Sequence, residues 1–486
     1  MLAVLAVLFS VFFHGYNALS LAGDSANQIR EDVTVVTADD ASYLAPVENF
    51  IAGKGWRSNA TGSAAYFTRT PGYGFIYFTF RSFLDSPSAL FALVCFQIGL
   101  FGIAVGFIPF LGRSIGLNPL AAELVGLTVA ILPMFSGFLS YTLTEGVTPA
   151  LVIFFFVLLL KGYERQTKFL IFASLLLGFI ILIRPPLLVL SFGFLPFLFV
   201  KRSRISFFTI LVCAVLSSGP LFIWNWHLNE ITGKWGGLHS IYHEDATSLY
   251  RPLHKEIWNF HKMTGQSGSD FHRSIERLNA SAKLGESAKM AVDQVVQQFN
   301  QRVFDSVNPD SLRKAYRDYS EVLVEQNRVV NSGGVIRTET DAERELRNTF
   351  ESFRIQYVRA NPLHSMLFVP VKVYGDLAFH SNLSLYVFQK SWRGNLFMEL
   401  LRALCFAIHS LSFLIFPIAA FCFLRQPGIT AISIPVLVYL AYLALVQRGI
   451  EERYTLPFLV PMFLLSALFL HRIIQKLTTS KKQPLL

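Results

Sequence analysis

Asp39-Asp40-Ala41-Ser42-Tyr43 opens a cluster of polar and aromatic residues that runs through Gly53-Lys54-Gly55-Trp56 to Tyr66-Phe67-Thr68-Arg69-Thr70-Pro71-Gly72-Tyr73. Carboxylates accept protons, and a guanidinium matches the oxygens of a phosphate as a bidentate fork. Asp39 and Asp40 also precede a helical stretch, Ala41 to Ala52, where carboxylates cap a helix N-terminus. Adjacent residues on a helix do not face each other, so the two should not act as an interchangeable pair. Later in the chain, Glu145 follows an apolar run, where it either serves a site or simply reaches for water. Arg184 stands in an Arg184-Pro185-Pro186 turn, and Arg453 follows Glu451 and Glu452, as an anion contact or as half of an internal salt bridge.

These residues are embedded in a chain of 486 residues that is 53% hydrophobic and only 15% charged, with 47 Phe. Runs such as Leu151–Leu160 and Ile432–Val446 carry no charge at all. A water-soluble core cannot bury so many of them, so the sequence reads as an all-α polytopic membrane protein. About ten membrane helices are expected, over 2–21, 88–111, 119–141, 146–161, 169–183, 186–200, 205–226, 397–423, 430–446 and 455–472. The first reads as a retained helix and not a signal peptide, because no Lys or Arg precedes it. The pair 169–200 has arms of about 15 residues, shorter than the ~20 that cross a bilayer. It reads as a short hairpin with Arg184 at its tip, just below the outer surface. Arg at mid-membrane costs roughly 2.5–3.5 kcal/mol, so an unpaired structural role for it is hard to justify.

Charge sets the orientation. The short connections assigned to the cytoplasm carry 12 basic residues against one acid, Glu164, while the whole chain has a net charge of +10. The basic excess is therefore positive-inside bias, and no patch is left for nucleic acid. The chain divides into a membrane module over 1–226 with a first outer loop at 22–87, an outer domain over 227–395, and membrane helices over 396–486. The outer domain, with 21 basic and 19 acidic residues, reads as a folded helical cap. Its apolar residues fall at helical spacing from Asp270 to Arg328, and Ser332-Gly333-Gly334 separates that block from a helix over Asp341–Val358. His243, His254, His261 and His272 read as solvated loop residues; no His-x-x-x-His spacing links them. All four cysteines lie in predicted spans, which argues against disulfides and cysteine zinc sites.

Asp39-Asp40-x-x-Tyr43, the Gly-x-Trp that follows and Arg69-Thr70-Pro71-Gly72-Tyr73 resemble the first outer loop of the membrane-embedded C-type glycosyltransferases. The nearest groups are the protein O-mannosyltransferases and the lipid A aminoarabinose transferases. Thr144-Glu145, Arg184-Pro185-Pro186, Trp224-Asn225-Trp226 and Glu452-Arg453-Tyr454-x-x-Pro457 continue the resemblance in order along the membrane part. The turn lacks the glycine usual in that family.

The resemblance implies the C-type glycosyltransferase architecture, with amphipathic helices in the first outer loop. It implies transfer of a sugar from a polyprenyl-phosphate donor to a lipid, glycan or protein acceptor at the outer face of a bacterial inner membrane. Asp39 matches the catalytic position and takes the base role, with Asp40 holding the acceptor or tuning its neighbour and Glu145 as a second catalytic candidate. Arg69, Arg184 and Arg453 are the expected contacts of the donor phosphate; Tyr43, Tyr73, Trp224 and Tyr454 are expected in the substrate pocket. The sequence has no GxGxxG and no P-loop, consistent with a lipid-borne donor. A divalent metal is not expected to be obligatory, and no metal ligands are assigned. Three ionised carboxylates around a phosphate would repel it, so without a metal Asp40 or Glu145 must point away, be protonated, or pair with a base such as Lys54 or Arg57. Two rivals are an O-antigen ligase or polymerase, which would rest on outer-loop Arg and His, and a transporter or flippase. A transporter tends to show repeated halves and midplane charges, and neither is visible here.

Overall fold

The computed structural model describes residues 1–22, 29–31, 33–37, 39–163, 166–199, 207–236, 242–247, 250–284, 288–334, 336, 338–381, 383, 395–448 and 451–480. Glu164, Arg165, Lys201, Arg202, Arg204, Lys481 and Lys482, on which the expected orientation partly leans, lie outside them.

Among the described residues the chain is helical apart from loops and one two-stranded antiparallel ribbon, Ile29–Arg30 with Thr34–Val35. Six helices are long and apolar enough to cross a membrane, within 2–19, 86–114, 208–232, 396–423, 427–447 and 452–478. The helix pair Pro119–Ile131 and Pro133–Ser140, bent by 48°, is apolar enough to make a seventh if the two are taken as one span. Leu132 precedes Pro133, whose ring excludes the α conformation there, and Leu132 is extended at ψ 129°.

Against the expected membrane helices, the structure differs in the second arm of the hairpin and at the end of the 207–232 helix. Thr148–Tyr163 and Thr167–Ile183 have 16 and 17 residues, about 24–26 Å at 1.5 Å per residue. Both are shorter than the ~30 Å hydrocarbon layer. The second arm of the expected hairpin is mainly a 3-10 helix, Pro185–Phe194, followed by a single turn, Pro196–Phe199. Arg184 is forced extended by Pro185 (φ −147°, ψ 94°), which ends the preceding helix and leaves the side chain at a sharp break. The 207–232 helix also runs six residues past the expected end at Trp226.

Two hydrophobic cores form. One joins the membrane helices to the first outer loop, because Tyr43, Leu44, Val47, Tyr73 and Ile76 pack into it. The other fills the cap with Leu253, Ile257, Phe260, Phe271, Ile275, Leu278, Tyr316, Phe350 and Tyr357. A helix over Pro252–Thr264 was not expected, whereas Gly268–Lys283, Lys289–Gln297, Pro309–Asn331 and Asp341–Ala360 follow the expected periodicity. The last begins with a capping box between Thr340 and Glu343. The cap histidines are corrected: His243, His254 and His261 are buried, and His261 hydrogen-bonds Tyr316 and Gln266. Burial drives His254 and His261 down to about 3, so both are neutral structural groups.

Candidate functional site

Three local devices bring distant segments together. The first is a parallel bridge between Val35 and Tyr141. Asp39 and Glu145 each lie four residues beyond that pairing, so the two strands deliver both carboxylates to one place. The second is Gln97, buried in the Ser86–Ser114 helix. Its amide donates to the carbonyls of Leu139 (2.8 Å) and Tyr141 (3.2 Å), and it accepts from the Tyr73 hydroxyl at 3.0 Å. Gly146 fits against it because a Cβ there would stand 2.2 Å from Gln97 Oε1. The third is Gly72, where a Cβ would meet the Leu182–Ile183 backbone at 2.5–2.6 Å. Only glycine lets the Arg69–Tyr73 turn approach the Arg184 break this closely.

The result is a chain of alternating charges. Arg69 Nη2 donates to Asp39 Oδ1 at 2.6 Å, while its Nε donates to Ser42 Oγ at 2.8 Å. Arg453 Nη2 donates to Asp39 Oδ2 at 2.6 Å. Arg453 Nε stands 2.5 Å from Glu451 Oε2 and 3.9 Å from Glu145 Oε1. Arg184 Nη1 donates to Glu145 Oε1 at 2.7 Å. The aromatics hold the guanidinium planes, Arg69 over Tyr43 at 4.7 Å and Arg184 over Tyr454 at 5.0 Å. Glu145 and Arg453 are almost fully buried (side chains 3% and 4% exposed), whereas Asp39 and Arg69 keep 34%. Burial pushes the Asp39 carboxyl up, but Arg69 and Arg453 outweigh it, helped by His272 of the cap, and hold it below its ordinary value. Glu145 is likewise held low by Arg184 and Arg453 against burial.

These groups line a cavity of about 500 Å³ between the first outer loop, the Arg184 break, the start of the last span and the cap. Asp39, Glu145, Arg69, Arg184, Arg453, Tyr43, Trp224 and Tyr454 all face it. Two expected site residues do not. Asp40 is 1% exposed and accepts from Arg30 Nε and Nη2 at 3.1 and 2.9 Å, because one helical step turns it about 100° from Asp39 into the core. Its partner is thus Arg30 and neither Lys54 nor Arg57. Tyr73 is fully buried behind Tyr43, edge-on to its ring at 5.3 Å. The capping role also needs correction. Asp39 occupies the N-cap position of the Asp40–Ile51 helix, but its side chain makes no capping bond and turns to the arginines.

Several residues on the wall were not foreseen. The cap helix Pro252–Thr264 contributes Lys255, Trp258, Asn259 and Lys262, and the 427–442 helix contributes Tyr439 and Tyr442. The cap set was readable, since spacings of three, four and seven place it on one face of a helix. The tyrosines carried no signal inside an apolar span. Among the described residues no group of three or more His, Cys, Asp or Glu side chains converges as a metal site. Asp39, Asp40 and Glu145 in particular do not meet, since Arg453 lies between Asp39 and Glu145 and Asp40 faces away.

Fold and site together describe a multi-pass helical membrane protein with a charge-lined cavity under a helical cap. The chain matches no protein-family model, and no curated protein sequence matches it. Among solved structures it is similar to the oligosaccharyltransferase of Archaeoglobus fulgidus tethered with an acceptor peptide. The identity is 14% and the TM-score 0.46, over 99% of this chain and 50% of that one. It is also similar to the archaeal oligosaccharyltransferase AglB from Archaeoglobus fulgidus in complex with an inhibitory peptide and a dolichol-phosphate, at 13% identity and a TM-score of 0.44, over 99% and 51%. A third similarity is to ArnT from Cupriavidus metallidurans bound to undecaprenyl phosphate, at 14% identity and a TM-score of 0.34, over 94% and 77%. The chain spans about half the length of the archaeal proteins.

Proposed function

We propose that this protein is a glycosyltransferase that moves a sugar from a polyprenyl-phosphate donor to a hydroxyl-bearing acceptor at the outer face of a bacterial inner membrane. The observation that carries the reading is the Asp39 carboxylate, held between Arg69 and Arg453 at the wall of a roofed cavity beside apolar helices. In this reading the donor's isoprenoid tail lies against the helices and its phosphate reaches Arg69, Arg184 and Arg453. Asp39 takes the proton of the acceptor hydroxyl as that oxygen attacks the anomeric carbon. The bond from that carbon to the phosphate oxygen breaks with its electron pair staying on the phosphate, and the guanidiniums stabilise the charge. A phosphate leaves readily as an anion, so no strong general acid is required. Glu145 is a positioning residue that holds Arg184 and Arg453 in place. A divalent metal is not required by this scheme.

The resting ion pairs have a mechanistic consequence. The arginines that depress the basicity of Asp39 are the ones a phosphate would recruit. Donor binding therefore loosens their hold on Asp39 and raises its proton affinity when the acceptor needs a base. The acceptor, whether lipid, glycan or protein, enters from the cap side.

Mass spectrometry of lipids retained by the purified protein tests the reading. A polyprenyl phosphate, with or without a sugar, is expected in wild type and depleted in an Arg69→Gln/Arg184→Gln variant. Its absence from wild type, after loading with undecaprenyl phosphate, overturns the reading.

A further inference from the structure

The cap helix Pro252–Thr264 divides its faces. Leu253, Ile257 and Phe260 enter the cap core, while Lys255, Trp258, Asn259 and Lys262 face the cavity. The charges across that cavity do not cancel. Its lining carries five cations, Arg69, Arg184, Arg453, Lys255 and Lys262, against two carboxylates, Asp39 and Glu145. Counting Glu451, which holds Arg453 from outside the lining, the three arginines are matched by three carboxylates. The excess is the two lysines.

Neither lysine has a carboxylate within salt-bridge distance among the described residues. Lys255 Nζ lies over the Tyr242 ring at 5.7 Å and Lys262 Nζ over the Trp258 ring at 5.6 Å. The nearest acid on the helix, Glu256, is taken by Arg354 at 2.5 Å. From the other side Arg448, 5% exposed, adds a further positive charge. It donates to the carbonyls of Leu445 and Ser365, each at 2.8 Å, and to no carboxylate among the described residues. Lys255 is exposed and Lys262 half-buried, two turns apart on the helix face that lines the cavity, so an anion held between them would meet both ammonium groups.

We propose that Lys255 and Lys262 form a second anion subsite on the cap wall that binds a phosphate-type group of a substrate. The group belongs either to the acceptor, which is then anionic, or to the lipid donor. The proposal rests on the glycosyltransferase reading only for the identity of the cavity as the reaction site. Burial, with Arg448 and Lys255 and against Glu256, brings the Lys262 ammonium down to about 8, so its charge, and with it anion binding, is lost as pH rises through that value.

Two affinities measured on the full-length protein in nanodiscs test the subsite: undecaprenyl phosphate, and inorganic pyrophosphate added to protein already loaded with undecaprenyl phosphate. Wild type, Lys255→Gln/Lys262→Gln and Lys262→Arg are compared at pH 7 and pH 9. If the lysines serve the donor, the double variant binds undecaprenyl phosphate about tenfold or more weakly. If they serve an anionic acceptor, that affinity is unchanged and pyrophosphate binding falls by about tenfold or more. In either case wild type weakens from pH 7 to pH 9 and Lys262→Arg does not, a readout that does not depend on the double variant folding. Unchanged affinity for both probes in a folded double variant, or the same pH response in wild type and Lys262→Arg, overturns the subsite. Failure of wild type to bind undecaprenyl phosphate at all counts against the glycosyltransferase reading instead, and the difference in pyrophosphate affinity between unloaded wild type and unloaded double variant then decides the subsite.

Discussion

Arg453 donates a hydrogen bond of 2.6 Å to Asp39 across 414 positions of the chain. The contact ties the first outer loop to the start of the last span, and Arg453 also approaches Glu145 at 3.9 Å. One buried guanidinium thus fixes the distance between the expected base and the residue that holds Arg184.

Replacing a guanidinium by an ammonium keeps the charge and removes the fork. Arg69→Lys and Arg184→Lys should insert normally and bind undecaprenyl phosphate roughly tenfold more weakly. Equilibrium binding in nanodiscs measures this. Equal affinity in both variants would place the phosphate elsewhere.

The pH profile follows from the arginines around Asp39. A base must be deprotonated, so activity is lost as pH falls through its pKa. Because Arg69 and Arg453 hold the Asp39 carboxyl below its ordinary value, kcat/KM, which reports the free enzyme, should stay level through the usual carboxylate range. In the donor complex the arginines are shared with phosphate, so the acid limb of kcat should lie at higher pH. Coincident limbs would show that donor binding leaves the ion pairs intact.

Asp40 should behave differently from its neighbour. Its carboxylate is buried against Arg30, so Asp40→Asn leaves that guanidinium without its counter-charge. A loss of about 3–5 kcal/mol is the upper range for a fully buried pair, and Arg30 is 35% exposed, so a loss of about 1–2 kcal/mol is expected. Thermal unfolding in detergent should move, while kcat per folded molecule should stay within about threefold. A selective loss of kcat at unchanged stability would return Asp40 to the chemistry.

Metal dependence separates the arginine scheme from one in which carboxylates hold a cation against the phosphate. Transfer by the purified protein should persist in excess chelator. Loss restored by magnesium or manganese would overturn the roles given to Asp39 and Glu145.

Much of this site could be read from residue order. Glu145 and Arg184 stood out as charges at the ends of apolar runs, and Asp39, Arg69 and Arg453 through the motifs that carry the resemblance. The structure brings all five to one cavity. The sequence did not say which charges pair, so Asp40 and Tyr73 were expected in the pocket although they serve the packing behind it. Spacing places Lys255 and Lys262 on one helix face, but nothing in the sequence says that this face meets the cavity. His254 and His261 were misread for the converse reason. Spaced with Ile257 at three and four, they lie on the buried face, and their polarity concealed the pattern. The hairpin's second arm differs from the expected helix in being mainly 3-10, a winding that apolar composition alone does not reveal.

The central claim is that Asp39 is the base for attack on a polyprenyl-phosphate sugar. Its side chain makes no helix-capping bond, so Asp39→Asn removes the base without removing a cap. The most direct measurement is the release of polyprenyl phosphate from sugar-loaded carrier by reconstituted wild type and Asp39→Asn, with an acceptor present and folding verified. Turnover should fall by about 100-fold or more, while binding of the carrier survives. Undiminished turnover in a folded Asp39→Asn protein would contradict the account.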